Sequence, residues 1–323
     1  MGICYRALAV AGAALLCGAP LAGAQEIRIG YAAGSPADRA AAAFIRMVND
    51  DGGIGGRTLV LVGREESGAA LIFSPLAMAP GPRTEARIFA HYVIDNIEAP
   101  KIVVLHPDDA SGRDAVEALR AGLGDGARRL VSRTMGYDPA QPTVEFQVTQ
   151  LRSAGGNVFV DFAAAKFAAQ AIRKVAELGW SPIHMVASAS AAAGPTAKGV
   201  LSAQYLKMPN DPQWQSDAEV QAWRAWMRKY LPDANADDPL NVQVYVAGHV
   251  VVEQLRRGGP LKDFHVPMLL PGIAVSTGPD ANEPIKQMQM MGFTGDRWLT
   301  FGPVLGPGVP PSVVRNPGTS GAK

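Results

Sequence analysis

The chain has 323 residues, with 30 Lys and Arg against 29 Asp and Glu and a formal net charge of +1, so it carries no excess of either sign. Nucleic-acid binding and adhesion to an anionic membrane both call for clustered Lys and Arg, and the sequence supplies no such cluster. Its two cysteines, Cys4 and Cys17, both fall in residues 1–24. If that segment is removed, the chain has no thiol, disulfide or cysteine metal ligand, and its stability rests on a hydrophobic core.

Residues 1–24 read as an export signal. Arg6 comes early, an apolar run covers residues 7–16, and Ala22-Gly23-Ala24 makes a small-x-small cleavage site before Gln25. The apolar run is about ten residues long, against the ~20 that a membrane-spanning helix needs. Cleavage after Ala24 and a periplasmic location are expected. Lipid attachment at Cys17 is the alternative, and the bulk of Leu16 speaks against it.

Short apolar runs then alternate with longer amphipathic ones. The predicted strands are 27–31, 58–62, 70–73, 101–106, 157–162 and 184–187, and the predicted helices between them are 36–49, 83–97, 113–123, 143–153 and 164–178. In the last of these, Phe167, Ala171, Ile172, Val175 and Leu178 recur at threes and fours on one helical face. Ile102-Val103-Val104-Leu105 is apolar without alternation, which suits a parallel strand buried on both sides. Repeated strand–helix units imply a doubly wound α/β architecture. After Ser202 the pattern changes. An aromatic-rich helix (217–230) and a second helix (242–257) are predicted, with Trp223 and Trp226 read as core rather than as a sugar platform. Residues 286–302 close the sequence as an antiparallel hairpin with a glycine turn, and residues 307–323 read as a disordered tail.

Gly52-Gly53-Ile54-Gly55-Gly56 follows a helix and precedes a strand. A dinucleotide-binding fingerprint requires the reverse, so this run is a helix stop and tight turn. Among the five histidines no pair has helical metal spacing. No serine sits in a Gly-x-Ser-x-Gly elbow. No enzymatic step and no cofactor are expected. What remains is the rule that open α/β sheets bind ligands at the carboxyl ends of their strands. Those ends nominate Ser35, Ser74, Asp109, Ser111, Ala163, Lys166, Ser188 and Ser190 as ligand-binding residues, with Arg113 at the rim. Small hydroxyl residues and helix N-termini suit a compact carboxylate or polar ligand; ordinary small-residue turns are the plain alternative for each loop.

Several motifs resemble one family in order along the chain. They are Glu26-Ile27-Arg28-Ile29-Gly30, the 47–57 turn, Arg83-Thr84-Glu85-Ala86-Arg87, Phe167-Ala168-Ala169-Gln170-Ala171-Ile172, and Pro284-Ile285-Lys286-Gln287 continued by Phe293-Thr294-Gly295-Asp296-Arg297-Trp298. Together they resemble periplasmic substrate-binding proteins of the leucine/isoleucine/valine type. The resemblance implies two α/β lobes joined by three crossovers, closing on an amino acid or a related small carboxylate or amide. It also implies a monomer that meets a small-molecule solute and an inner-membrane ABC permease, with no nucleic acid. Lobe one is expected over 25–82 and 239–285, and lobe two over 83–238 and 286–306. Lobe one is abridged: roughly twenty residues separate Val62 from Arg83, where a single strand–helix–strand unit takes about thirty. The acidic residue that amino-acid binders of the family carry after the strand matching 184–187 has no counterpart in Ser188-Ala189-Ser190. A small organic acid or neutral amide is therefore expected rather than a free branched-chain amino acid. The alternative is a family-derived interaction protein that no longer binds a solute.

Overall fold

The computed structural model describes residues 26–34, 36–64, 71–188, 195–278 and 283–307. The expected signal, the tail from residue 308, and the candidates Ser35 and Ser190 lie outside them. Two sheets organise the described chain, one of three strands in the order β2-β1-β3 and one of seven in the order β10-β9-β8-β7-β6-β4-β5.

In the small sheet, β1 (Ile27–Tyr31) lies between β2 (Leu59–Gly63) and β3 (Leu71–Phe73), parallel to both. Helix α1 (Asp38–Asp50) follows β1 and buries Ala41, Phe44 and Val48 on one face. The turn behind it needs glycine for a steric reason. Gly53 has φ +72°, and a Cβ there would stand 2.1 Å from the Arg57 carbonyl oxygen.

A short helix α2 (Pro75–Met78) leads to α3 (Pro82–Asn96) and into the large sheet. Its parallel strands are β4 (Ile102–Pro107), β5 (Val131–Tyr137), β6 (Val158–Asp161), β7 (Ile183–Val186) and β8 (Leu201–Gln204). Neighbouring residues of β4 belong to different cores, as a strand covered on both faces requires. Ile102 and Val104 join the core on the side of α3 and α4 (Ala110–Leu123). Val103 and Leu105 join that of α6 (Glu145–Ser153) and α7 (Ala165–Glu177). A one-turn helix α5 (Ala127–Leu130) precedes β5. The sheet is completed by the antiparallel hairpin of β9 (Met288–Phe293) and β10 (Trp298–Leu305), whose turn is closed by the Thr294 N–H to the Arg297 carbonyl at 2.9 Å.

Two strands are additions to the expected elements. β5 escapes the sequence pattern because Ser132 and Arg133 are exposed at the edge of the sheet and break the apolar run. β8 escapes it because it is four residues long and lies where the pattern changes.

Helix α8 (Ala218–Tyr230), expected with the second lobe, packs beside the small sheet. Trp226 meets Phe44 of α1 at 6.4 Å and Tyr245 of α9 (Pro239–Arg257) at 5.0 Å, and the Tyr230 hydroxyl donates to Asp50 at 3.1 Å. The Lys207 ammonium fixes the start of α8 by reaching Asp217 at 2.7 Å and Glu219 at 3.1 Å. Glu219 in turn accepts the Met268 N–H at 2.9 Å. Trp223 is fully buried and donates its indole N–H to the Ala236 carbonyl at 3.1 Å, the position of a core residue. The chain thus crosses between the sheets after β3 and before β9, with α8 and α9 on the small-sheet side in between.

Candidate functional site

The carboxyl ends of β4, β6 and β7 are neighbours in the large sheet, and the loops behind them bring the Asp109–Ser111, Ala163–Lys166 and Ser188 candidates to one edge. Their roles differ from one another. Asp109 is the N-cap of α4, and its Oδ1 accepts the Gly112 N–H at 2.8 Å. Gly112 is confined by the Pro107 carbonyl, which would lie 2.0 Å from a Cβ, so the loop has one tight path. Ser111 is exposed in the first turn of the same helix. Arg113 turns outward to Asp108 at 3.1 Å, both exposed, and forms a solvent ion pair.

Behind β6, Ala163 is fully buried and gives its N–H to Asp161 Oδ1 at 2.9 Å. Asp161 is itself fully buried, and its other oxygen lies 3.4 Å from His184 Nε2. The His184 ring stacks on Phe159 at 4.4 Å. Asp161 therefore closes the strand end and does not reach outward. Tyr137, at the end of β5, accepts the Ala164 N–H on its hydroxyl at 3.0 Å and packs on Phe167 at 4.5 Å. Lys166 is exposed, its ammonium 5.0 Å from the Phe167 ring centre. In the small sheet Ser74 follows β3, half-buried, with its carbonyl accepting the Ala77 N–H at 3.1 Å.

The feature sequence reasoning missed is Glu85. It lies in the first turn of α3 and is only 5% exposed. Its Oε1 accepts the Ser188 N–H at 2.6 Å across 103 residues of chain. Burial pushes the carboxyl from its ordinary 4.5 up to about 7, against the opposing pull of the Ser188 N–H and hydroxyl. The strand end that offers no acid of its own thus receives one from α3. No local spacing announces it; the only sequence signal is a glutamate on the face of α3 whose neighbours Ala86, Phe89 and Ala90 are core residues. Among the described residues no group of three His, Cys, Asp or Glu is placed to hold a metal ion, and no helix is long and apolar enough to cross a membrane.

Two α/β layers built on separate open sheets, linked by chain that crosses more than once, define the architecture of a type I periplasmic binding protein. The family model described as "periplasmic binding protein" matches residues 72–293, and the chain belongs to that family. Solved structures share the fold. A possible leucine/isoleucine/valine-binding protein from Rhodopirellula baltica SH 1 is 13% identical with a TM-score of 0.66, over 86% of this chain and 97% of that one. A branched-chain amino acid ABC transporter protein from Thermus thermophilus with bound valine is 14% identical with a TM-score of 0.65, over 88% and 97%. A fatty acid ABC transporter substrate-binding protein from Thermomonospora curvata is 12% identical with a TM-score of 0.64, over 88% and 93%. Comparison with curated proteins gives no match.

Proposed function

We propose that the chain is the solute-binding component of an ABC importer. On this reading it is exported with residues 1–24 removed and works as a monomer, closing two lobes, each built on one sheet, around a small solute that it hands to an inner-membrane permease. Its work is binding and release, without a catalytic step or a cofactor. The observation that carries the reading is the family match over residues 72–293, supported by a strand-end edge where Ser111, Lys166 and Ser188 stand on neighbouring loops.

For the solute we favour a small organic acid or a neutral amide. Glu85 is the carboxyl nearest Ser188, and its proton is held to about pH 7. In its protonated form it donates a hydrogen bond to an oxygen ligand, whereas an ammonium must first displace that proton to gain a countercharge. Lys166 adds positive charge at the same edge, which suits a carboxylate. The structural neighbours described with valine and with fatty acids set the comparison. Calorimetric titration should test leucine, isoleucine and valine beside short aliphatic and aromatic acids and their amides. Micromolar binding of leucine refutes the solute class.

A second reading, an interaction protein that no longer binds a solute, is favoured by one observation. The small sheet has three described strands, with β2 and β3 at its two edges, and a sheet of that size is near the lower limit of independent stability. A thermal-shift screen separates the readings. A true solute at a hundred times its Kd adds ~2.7 kcal/mol, whereas the second reading requires no stabilisation by any compound.

A further inference from the structure

A recess of about 230 Å³ lies between α3 and the segment entering β9, lined by Thr84, Arg87, Ile88, His91, Lys286 and Gly306 with Pro307. Arg87 and His91 are one turn apart and share a face of α3, and Lys286 meets them from the other wall. None of the three forms an ion pair among the described residues. Some other cations of this chain find carboxylates: Arg83 with Asp114 at 3.5 Å, the half-buried Lys174 with Glu145 at 3.1 Å, Arg257 with Glu253 at 2.6 Å. Among the described residues the Glu283 carboxylate stands beside Thr84, and it is engaged. It accepts the Thr84 hydroxyl and lies against Gly81, where its Oε1 occupies the place a Cβ would take. Asp95, a further turn along α3, makes no ion pair with His91.

The Arg87 and Lys286 cations gathered around one concave surface repel one another, in a protein whose charge is otherwise balanced. An anion held between them removes that repulsion and accepts several charge-assisted hydrogen bonds, one pair of them from a planar guanidinium fork. At about 230 Å³, the recess admits only a small molecule. Ile88 and Pro307 give it an apolar side.

We propose that this recess is a binding site for a compact dianion, the terminal group of a phosphate monoester or a short dicarboxylate, separate from the strand-end edge. The separation is set by α3 itself, which sends Glu85 to Ser188 and turns Thr84, Arg87 and His91 into the recess. A dianion there joins α3 to the segment that enters β9. These are the two places where the chain passes into the large sheet, so occupancy stiffens the junction that the Thr84–Glu283 hydrogen bond already closes.

The test is an amide ¹H–¹⁵N NMR titration of the chain from residue 25 onward with inorganic phosphate, with succinate, and with sodium chloride at matched ionic strength. Saturable shifts are expected at Arg87, Ile88, His91 and Lys286, with those near Ser111, Lys166 and Ser188 unmoved by phosphate. A response to phosphate alone assigns the phosphate monoester, to succinate alone the dicarboxylate, and to both a site that reads only charge and size. The variant Arg87→Gln with Lys286→Gln changes exposed side chains, so its melting temperature should match the parent. Its dianion affinity should fall by roughly tenfold or more, the loss expected for charge-assisted hydrogen bonds, and Arg87→Lys should recover part of it. Shifts reproduced by chloride, shifts that never saturate, or a double variant with parental affinity would each overturn the proposal.

Discussion

Replacing Glu85 by glutamine should make the protein more stable at alkaline pH and leave it nearly unchanged in mild acid. The carboxyl is buried and its pKa is raised from 4.5 to about 7, so the folded state holds this proton more tightly than the unfolded chain does. Its contribution to stability is full below pH 4.5 and is lost as pH rises through 7, where a charge must be kept in the interior. At about 1.4 kcal/mol per pH unit of displacement, the change between pH 5 and pH 8 is on the order of 2–3 kcal/mol. Glutamine has nearly the shape of the protonated acid, and its amide oxygen can still accept the Ser188 N–H. The amide does not titrate, so the difference between the Glu85→Gln variant and the parent isolates this one group. Melting curves at pH 5 and pH 8 read it directly. With roughly 2–4 °C per kcal/mol for a domain of 150–250 residues, the variant should gain on the order of 5–10 °C over the parent at pH 8 and little at pH 5. Parallel pH profiles for the two proteins would refute the reasoning and place Glu85 in solvent or beside a cation.

His249 works in the opposite direction: burial first, then Arg256, push its pKa from 6.5 down to about 4, and its Nε2 has no hydrogen-bond partner among the described residues. Stability is full above 6.5 and is lost as pH falls through 4, so His249→Phe, placed between Phe44 and Tyr245, should recover roughly 2–3 kcal/mol at pH 4 relative to pH 7.5, read from urea midpoints. Gly248→Ala sets a Cβ 2.5–2.6 Å from the ring of Phe44, which is itself buried; a loss of about 1–3 kcal/mol is expected, and an unchanged urea midpoint would mean that α1 and α9 are free to separate. Hydrogen exchange should protect β4 and β6 of the large sheet well beyond β2, whose residues after Leu59 are half-buried or exposed; equal protection would show that the small sheet is no weaker than the large one.

The sequence was most legible where burial acts on both faces of a strand. Ile102 to Leu105 read as a parallel interior strand, and each of the four residues is fully buried. The glycine run behind α1 was legible because only a turn follows a helix in that way, and Gly52, Gly53, Gly55 and Gly56 all have positive φ. β5 was hidden because an edge strand can expose Ser132 and Arg133 and still pair with β4, with Ser132 bulged out of the register between Val131 and Arg133. The helical face of Val220, Trp223, Trp226 and Met227 announced a buried helix, yet periodicity does not say which core receives it; Phe44 and Tyr245 decided that. Glu85 was the furthest from view, since its environment is made by Ser188, a residue with which it shares no local pattern.

The backbone donors at the strand-end edge bear on how a solute can be recognised there. The Gly112 N–H is spent on Asp109, the Ala163 N–H on Asp161, the Ala164 N–H on Tyr137 and the Ser188 N–H on Glu85. Helix N-termini and loop amides were the expected anchors for a carboxylate, but here protein oxygens already hold these four. On the proposed function, recognition therefore passes to side chains, with the Ser111 hydroxyl and the Lys166 ammonium in front, since the Ser188 hydroxyl is drawn to Glu85. Three of the donors are held by carboxyl groups, and the acceptor of the Ser188 N–H has its pKa raised to about 7. A protonated acid is a weaker acceptor than the Asp109 or Asp161 carboxylate, and it has a proton of its own to give. An incoming oxygen anion that displaces Glu85 from Ser188 gains that amide and can also accept the Glu85 O–H. An ammonium must first displace the Glu85 proton to gain a countercharge there. On the proposed function, a preference for an oxygen anion over an ammonium at this edge rests on Glu85 keeping a proton that it loses around pH 7, so the preference should weaken as pH rises.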